Sequence, residues 1–160
     1  MSVTEPTRSS RLTLAPLAVA DAVEMVEVLC DPDLYTFTGG EPPTLDELEK
    51  RYRRQSAGSA EKIETWHNWI VRLDGGAIGY VQATVRGDVA DLAWVVGRPW
   101  QGRGYGTEAS KAMRDWLSDR GITRFSAQIH PHHAASNAIA AKLGLHRTGQ
   151  LDDDGEMIWA

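Results

Sequence analysis

Polar and apolar positions change their period repeatedly along the chain, and each change marks an element. Arg11-Leu12-Thr13-Leu14 alternates, which predicts a first strand ending at Pro16. Over residues 21–29, Ala22, Val23, Val26 and Leu29 recur at helical spacing and predict a first helix. Pro32, Gly39, Gly40 and Pro42-Pro43 make residues 31–43 a loop, which also carries Tyr35, Phe37 and Glu41. Thr44-x-x-Glu47 has the spacing of a capping box and opens a second helix that runs to about Gln55. Residues 57–61 read as a turn or a mobile segment. Residues 66–73 and 77–85 are strand-like and are joined by Asp74-Gly75-Gly76, a hairpin signal. Arg86-Gly87-Asp88 turns the chain into the apolar run Val89–Val96. Beyond it Tyr105, Ala109, Ala112, Met113, Trp116 and Leu117 share one helical face, and Gly121 stops that helix. A strand at 123–129 follows, then a helix at 134–143 ended by Gly144. A last hairpin, 145–151 with 156–159, surrounds Asp152-Asp153-Asp154-Gly155.

The order is therefore β, α, α, β, β, β, α, β, α, β, β. It predicts an α+β, or mixed α/β, sandwich around one sheet. At 160 residues the length fits one domain over residues 11–160, and the polar residues 1–10 are expected to be a flexible segment. A net charge of −5 argues against nucleic acid as the main partner and mildly favours a cationic acceptor such as an amine. The lone cysteine, Cys30, excludes an internal disulfide, and its helical context predicts a core residue rather than a nucleophile. No apolar run has transmembrane length and no secretory leader opens the chain, so a cytoplasmic protein without membrane association is expected, monomer or homodimer.

The stretch between the apolar strand and the following helix carries the strongest chemical signal. Strand, glycine-rich turn and helix form a recipe for holding a phosphate, because glycine amides and the free amides of a helix N-terminus can converge on an anion. Arg98 and Arg103 are expected to add positive charge. A dinucleotide fingerprint fits Gly102 and Gly104 but fails at Thr107. A P-loop fits Gly97 and Gly102 but fails at Arg103 and Gly104, where lysine and a hydroxyl are required. Gln101-x-x-Gly104-x-Gly106 remains, with an ordinary βα turn as the alternative.

That spacing resembles the Q/R-x-x-G-x-G/A signature of the GNAT acyltransferase superfamily. A second stretch, His130-Pro131-His132-His133-Ala134-Ala135-Ser136 followed by Lys142-Leu143-Gly144, resembles H-P-x-N-x-A-S…K-L-G-F of the branch containing the ribosomal-protein N-terminal acetyltransferases. The resemblance covers nearly the whole chain from Arg11 and says little about the acceptor. It implies a GNAT fold: one twisted, mostly antiparallel sheet flanked by helices and splayed at the cofactor site. It implies acetyl-CoA as acyl donor and a primary amine as acceptor, either a small molecule or a protein N-terminus. By resemblance, the loop Gln101, Gly102, Arg103, Gly104, Tyr105, Gly106 and Thr107 binds the pyrophosphate. An amide freed at Val95 or Val96 polarises the thioester carbonyl. The family asparagine that contacts the pantetheine arm is replaced here by His133, and the serine near the sulfur is Ser136.

Transfer from a thioester to an amine needs a held donor, a polarised carbonyl, a base for the amine and a proton for the departing thiolate. No metal and no acylated residue are required. Asp91 interrupts an apolar strand and is the first candidate for the base; its plainer reading is a carboxylate paired with arginine or facing solvent. Glu41 is a weaker candidate. His67 and Asn68 alternate, so they point to opposite faces, and one of them is expected to face the acceptor cleft. Trp66, Trp69, Tyr80, Trp94 and Trp100 are expected to supply core and some wall of that cleft. The readings to separate are an N-acetyltransferase, an acyl-CoA-binding module without physiological transferase activity, and a domain with no CoA site.

Overall fold

The alternating and helical stretches fold into the elements that their spacing predicts. In the computed structural model, which describes residues 3–160, the order is β1 (Thr7–Arg8), β2 (Leu12–Pro16), α1 (Ala22–Val28), α2 (Leu45–Ala57), β3 (Thr65–Leu73) and β4 (Gly76–Arg86). There follow β5 (Val89–Val96), α3 (Tyr105–Ser118), β6 (Arg124–Ile129), α4 (Ala134–Lys142), β7 (Arg147–Leu151) and β8 (Met157–Trp159). The eight strands form one sheet in the order β1-β2-β3-β4-β5-β6-β8-β7. Every neighbouring pair is antiparallel except β5 and β6, which are parallel and joined through α3.

Both faces of the sheet are covered, so its central strands are apolar on both sides. On one face Trp69, Val71 and Ile78 pack with Met113, Trp116 and Leu117 of α3. On the other, Ile70 and Ala77 pack with Met25 of α1 and with Leu48 and Tyr52 of α2. The α2 start carries the capping box read from its sequence: Glu47 N–H donates to Thr44 Oγ1 at 3.2 Å, and Thr44 N–H donates to Glu47 Oε1 at 3.0 Å. Among the described residues no helix is long and apolar enough to cross a membrane.

Two expectations change. Cys30 is exposed, because α1 ends at Val28 and the chain turns outward past Leu29. The first strand of the last hairpin spans Arg147–Leu151, two residues shorter at its start than expected, although His146 and Ala160 exchange backbone hydrogen bonds at 2.8 and 2.9 Å just before it. Within residues 1–10, Thr7 and Arg8 pair with Leu14 and Thr13, and Trp69 Nε1–H donates to the Glu5 carbonyl at 2.8 Å. Met1 and Ser2 lie outside the described residues.

Candidate active site

The parallel pair β5–β6 is joined only at its start. Val89, Ala90 and Asp91 pair with Arg124, Phe125 and Ser126, and residues 92–96 have no strand beside them on that edge. The two strands therefore diverge into a wedge with Asp91 at its apex and Val96 at its mouth. Alternation decides which backbone groups enter it. Gly97 N–H donates to Ile78 O of β4 at 2.8 Å, whereas Asp88 O accepts from Thr123 and Arg124 on the β6 side. At a period of two, the amide of Val95 is directed at β4 and the amides of Trp94 and Val96 point into the wedge. Of the two valines singled out, Val96 has the freed amide. Its carbonyl accepts from Gln101 Nε2 at 2.9 Å, which ties the glycine loop to the mouth of the wedge.

The loop then delivers its amides to the same mouth. Gly104 takes φ +83 at the N-cap of α3, a left-handed conformation that glycine adopts without strain. No side chain caps this helix, and its first bond runs from Glu108 N–H to Gly104 O at 3.0 Å. The amides of Tyr105, Gly106 and Thr107 therefore have no partner within α3. Gly106 packs closely on α4: a Cβ there would lie 2.8 Å from Ile139 Cδ1, the end of a side chain that would have to move aside. Gln101, Gly102 and Arg103 are exposed beside these amides. The half-exposed Arg98 guanidinium lies near Asp31 and Asp33, at 3.7 and 3.5 Å.

A clasp that was not legible in the sequence steadies α3. Glu108 accepts from Arg11 N at 2.9 Å, from Arg11 Nε at 2.7 Å and from the Ser9 hydroxyl. Burial would raise this carboxyl, but those three donors and the guanidinium charge hold it below its ordinary value. Arg11 also donates to Arg103 O at 3.2 Å and lies over the Tyr105 ring.

The second motif frames the wedge with α4. His133 is the N-cap of α4, and its Nε2 lies 3.4 Å from Ser136 Oγ. The ring stacks on Phe37 of the 31–43 loop, with centroids 4.7 Å apart and planes at 16°. Burial, with the charge of nearby His130, lowers the His133 pKa and favours the neutral ring, which can donate to or accept from the serine hydroxyl according to its tautomer. Phe37 also meets His130 at 5.1 Å.

Asp91 shares the α1–α2 face of the sheet with Ser126, its lateral neighbour on β6. Ser126 Oγ donates to Asp91 Oδ1 at 2.9 Å, and burial raises the carboxyl pKa. A second acid, Glu156, lies close enough to feel the charges of Asp91 and His130, and it too is raised, chiefly by burial. No arginine pairs with Asp91 among the described residues. Glu41 is exposed on the loop. Of the β3 pair, His67 is buried on the α3 face, bonded to Thr4 Oγ1 at 2.8 Å and packed against Trp69 and Trp116. Asn68 takes the opposite, cleft-facing side with Tyr80 and Gln82. Trp69 is core, while Trp66, Trp94 and Trp100 are half-buried.

The chain is 26% identical over 157 aligned positions to an L-2,4-diaminobutyric acid acetyltransferase of Nocardia farcinica, spanning 92% of this chain and 78% of that protein. Its fold is similar to a GNAT-family acetyltransferase structure from Bacillus anthracis, with a TM-score of 0.81 at 16% identity over 97% of this chain and 95% of that one. It is equally similar to RimL, a ribosomal-protein alpha-N-acetyltransferase in complex with coenzyme A, with a TM-score of 0.81 at 15% identity over 97% and 96% of the two chains. Residues 11–146 match the model of the acetyltransferase (GNAT) domain, and the chain belongs to this family of acetyl-CoA-dependent N-acetyltransferases.

Proposed function

We propose that acetyl-CoA lies in the wedge between β5 and β6, with its pyrophosphate on the free amides of the loop and α3. The observation that carries this is the coincidence of two sets of unpaired donors. The inward amides of Trp94 and Val96 end where the amides of Tyr105, Gly106 and Thr107 begin. Amides of Gly102, Arg103 and Gly104, the Gln101 tether and the Arg103 side chain complete the phosphate cradle. The Val96 amide faces the thioester carbonyl and stabilises charge as it develops on oxygen.

The acceptor approaches from the α1–α2 face. Its ammonium, with a reference pKa near 10.4, gives one proton to Asp91 directly or through water. The freed nitrogen attacks the carbonyl carbon, the carbon–sulfur bond breaks, and the nitrogen gives its second proton to solvent water as the amide forms. Ser136 gives its proton to the departing thiolate and recovers one from solvent, while the neutral His133 ring holds the hydroxyl in place. All of these groups come from one chain, so a monomer is sufficient. The donor is a cytoplasmic thioester, and we place the enzyme in that compartment.

The Nocardia farcinica relative is named for acetylating a small diamino acid, so small amines are the first acceptors to test. Release of free thiol from acetyl-CoA across a panel of small amines and peptide N-termini measures the proposal directly. Tight acetyl-CoA binding with no turnover on any amine would sink it.

A further inference from the structure

We infer that the acceptor is a small primary amine that also carries a carboxylate, and that Arg51 with the hydroxyls of Tyr52 and Tyr80 holds this carboxylate. The inference rests on the transferase reading and names the acceptor class of the same site. A cavity of about 180 Å³ opens on the α1–α2 side of the sheet, between α2 and strands β3 and β4. Arg51, Tyr52 and Gln55 of α2 line it, and Asn68, Tyr80 and Gln82 form its floor.

Its position is set by the β4–β5 ladder. Tyr80 pairs with Val95 and Gln82 pairs with Ala93, so the floor lies one strand away from the stretch that carries the Val96 amide. Cross-strand neighbours are roughly 5 Å apart. An acceptor anchored in the cavity can therefore present a nitrogen at the mouth of the wedge.

The polar groups of the cavity have no use within the protein. Tyr52 is 3% exposed, yet its buried hydroxyl has no hydrogen-bond partner. The side chains of Asn68, Gln82 and Tyr80 form no hydrogen bond to any described residue. Leaving the buried Tyr52 hydroxyl unpaired costs free energy that a ligand would recover, and the half-buried Asn68, Tyr80 and Gln82 keep their polar groups free for it.

Arg51 is free for a reason that the helix itself supplies. Its partner at the preceding turn would be Glu47, at i−4. Glu47 instead folds back to accept from Thr44 N–H at 3.0 Å in the capping box. The flanking residues Lys50 and Arg53 are paired with Asp46 and Glu49, at 3.1 and 3.4 Å. Arg51 forms no ion pair among the described residues and is the one cation lining the cavity. One guanidinium, two hydroxyls and neutral amides match a single negative charge with two acceptor oxygens, which describes a carboxylate. A phosphate dianion would leave a second charge unmatched.

Matched amine pairs test the inference: lysine with cadaverine, ornithine with putrescine, and β-alanine with ethylamine, assayed by thiol release from acetyl-CoA. The carboxylated member of each pair is expected to have the higher kcat/KM, by about 10- to 100-fold, as for one charge-assisted contact. Its methyl ester should lose that advantage. Arg51→Ala should raise the KM of the carboxylated acceptors and collapse the preference, while Arg53→Ala on the same helix should keep it. Esters or decarboxylated amines used as well as the acids, or a preference that survives Arg51→Ala, would overturn the inference. Should no amine turn over, the transferase reading fails, and calorimetry on the coenzyme A-loaded protein still decides the site. β-Alanine binding without ethylamine binding, abolished by Arg51→Ala, supports the carboxylate pocket; equal or absent binding of the two overturns it.

Discussion

Arg11 and Glu108, 97 residues apart in the chain, meet with Nε 2.7 Å from Oε1 and fasten the N-terminal strands to the first turn of α3. Because Arg11 also holds the carbonyl of Arg103, the clasp fixes the glycine loop. Glu108→Ala should destabilise the protein by about 1–3 kcal/mol in urea unfolding and raise the KM for acetyl-CoA. The folded state holds this carboxyl below its unfolded value. Its contribution is therefore present above the unfolded pKa and is lost as pH falls through the folded one. Wild-type stability and KM in the variant would remove the clasp from the account.

Gly106 and Ile139 form a second coupled pair. A methyl group at residue 106 would sit 2.8 Å from Ile139 Cδ1, so Gly106→Ala should lower the melting temperature and the acetyl-CoA affinity together. Ile139→Val should return part of both, since it removes the obstructing carbon. Calorimetric titration of the single and double variants checks this; an affinity loss that Ile139→Val leaves untouched would assign Gly106 to the ligand alone.

Asp91→Asn should reduce kcat by about 100-fold or more with little change in acetyl-CoA affinity. Burial raises the Asp91 carboxyl, so in the native enzyme the rate should climb with pH through an apparent pKa above the usual aspartate range. That limb should vanish in the variant. If the limb persists, Glu156, which faces the same region, becomes the group to substitute next.

Ser136→Ala should lower kcat more than it weakens acetyl-CoA binding, and His133→Ala should do the reverse while also losing the Phe37 stack. His133→Asn should recover most of the binding by returning a side-chain amide at that place. A drop in melting temperature with unchanged kinetics per folded molecule would mean that both residues only shape the start of α4.

His67 and His133 both have pKa values lowered, in each case first by burial. The unfolded chain therefore takes up protons near pH 6.5 that the folded one refuses, so stability should fall as pH drops below that point. The slope should approach at most about 1.4 kcal/mol per pH unit for each ring. Urea unfolding between pH 5 and 8 measures it, and His67→Phe should make the curve shallower. A flat wild-type curve would contradict the burial of these rings.

Local signals were the legible ones. Gln101-x-x-Gly104-x-Gly106 and the turn around His133 read correctly as parts of one family because each is contiguous and borders a helix start. Strand parity, the cue separating Val96 from Val95, needs the ladder partner and cannot be read from the run of valines alone. Nothing in sequence ranks the attraction of Arg98 to Asp31 and Asp33 against that to a phosphate. Arg11 with Glu108, and Arg51 with Tyr80, are brought together by folding across long separations. The capping box was visible at Thr44 and Glu47, but not that it would leave Arg51 unpaired.

Three residue pairs at the base of β5 and β6 are the whole ladder between two panels of the sheet, β1 to β5 on one side and β6 to β8 on the other. A donor lying in the gap would serve as the missing strand and zip the panels together. Asp91 stands on one panel, with Ser126 and Glu156 on the other. The acceptor wall is thus shared across a seam that the first substrate closes. Donor binding should therefore tighten acceptor binding and slow amide exchange on both panels at once, and shedding of coenzyme A should reopen the seam and loosen the acetylated product.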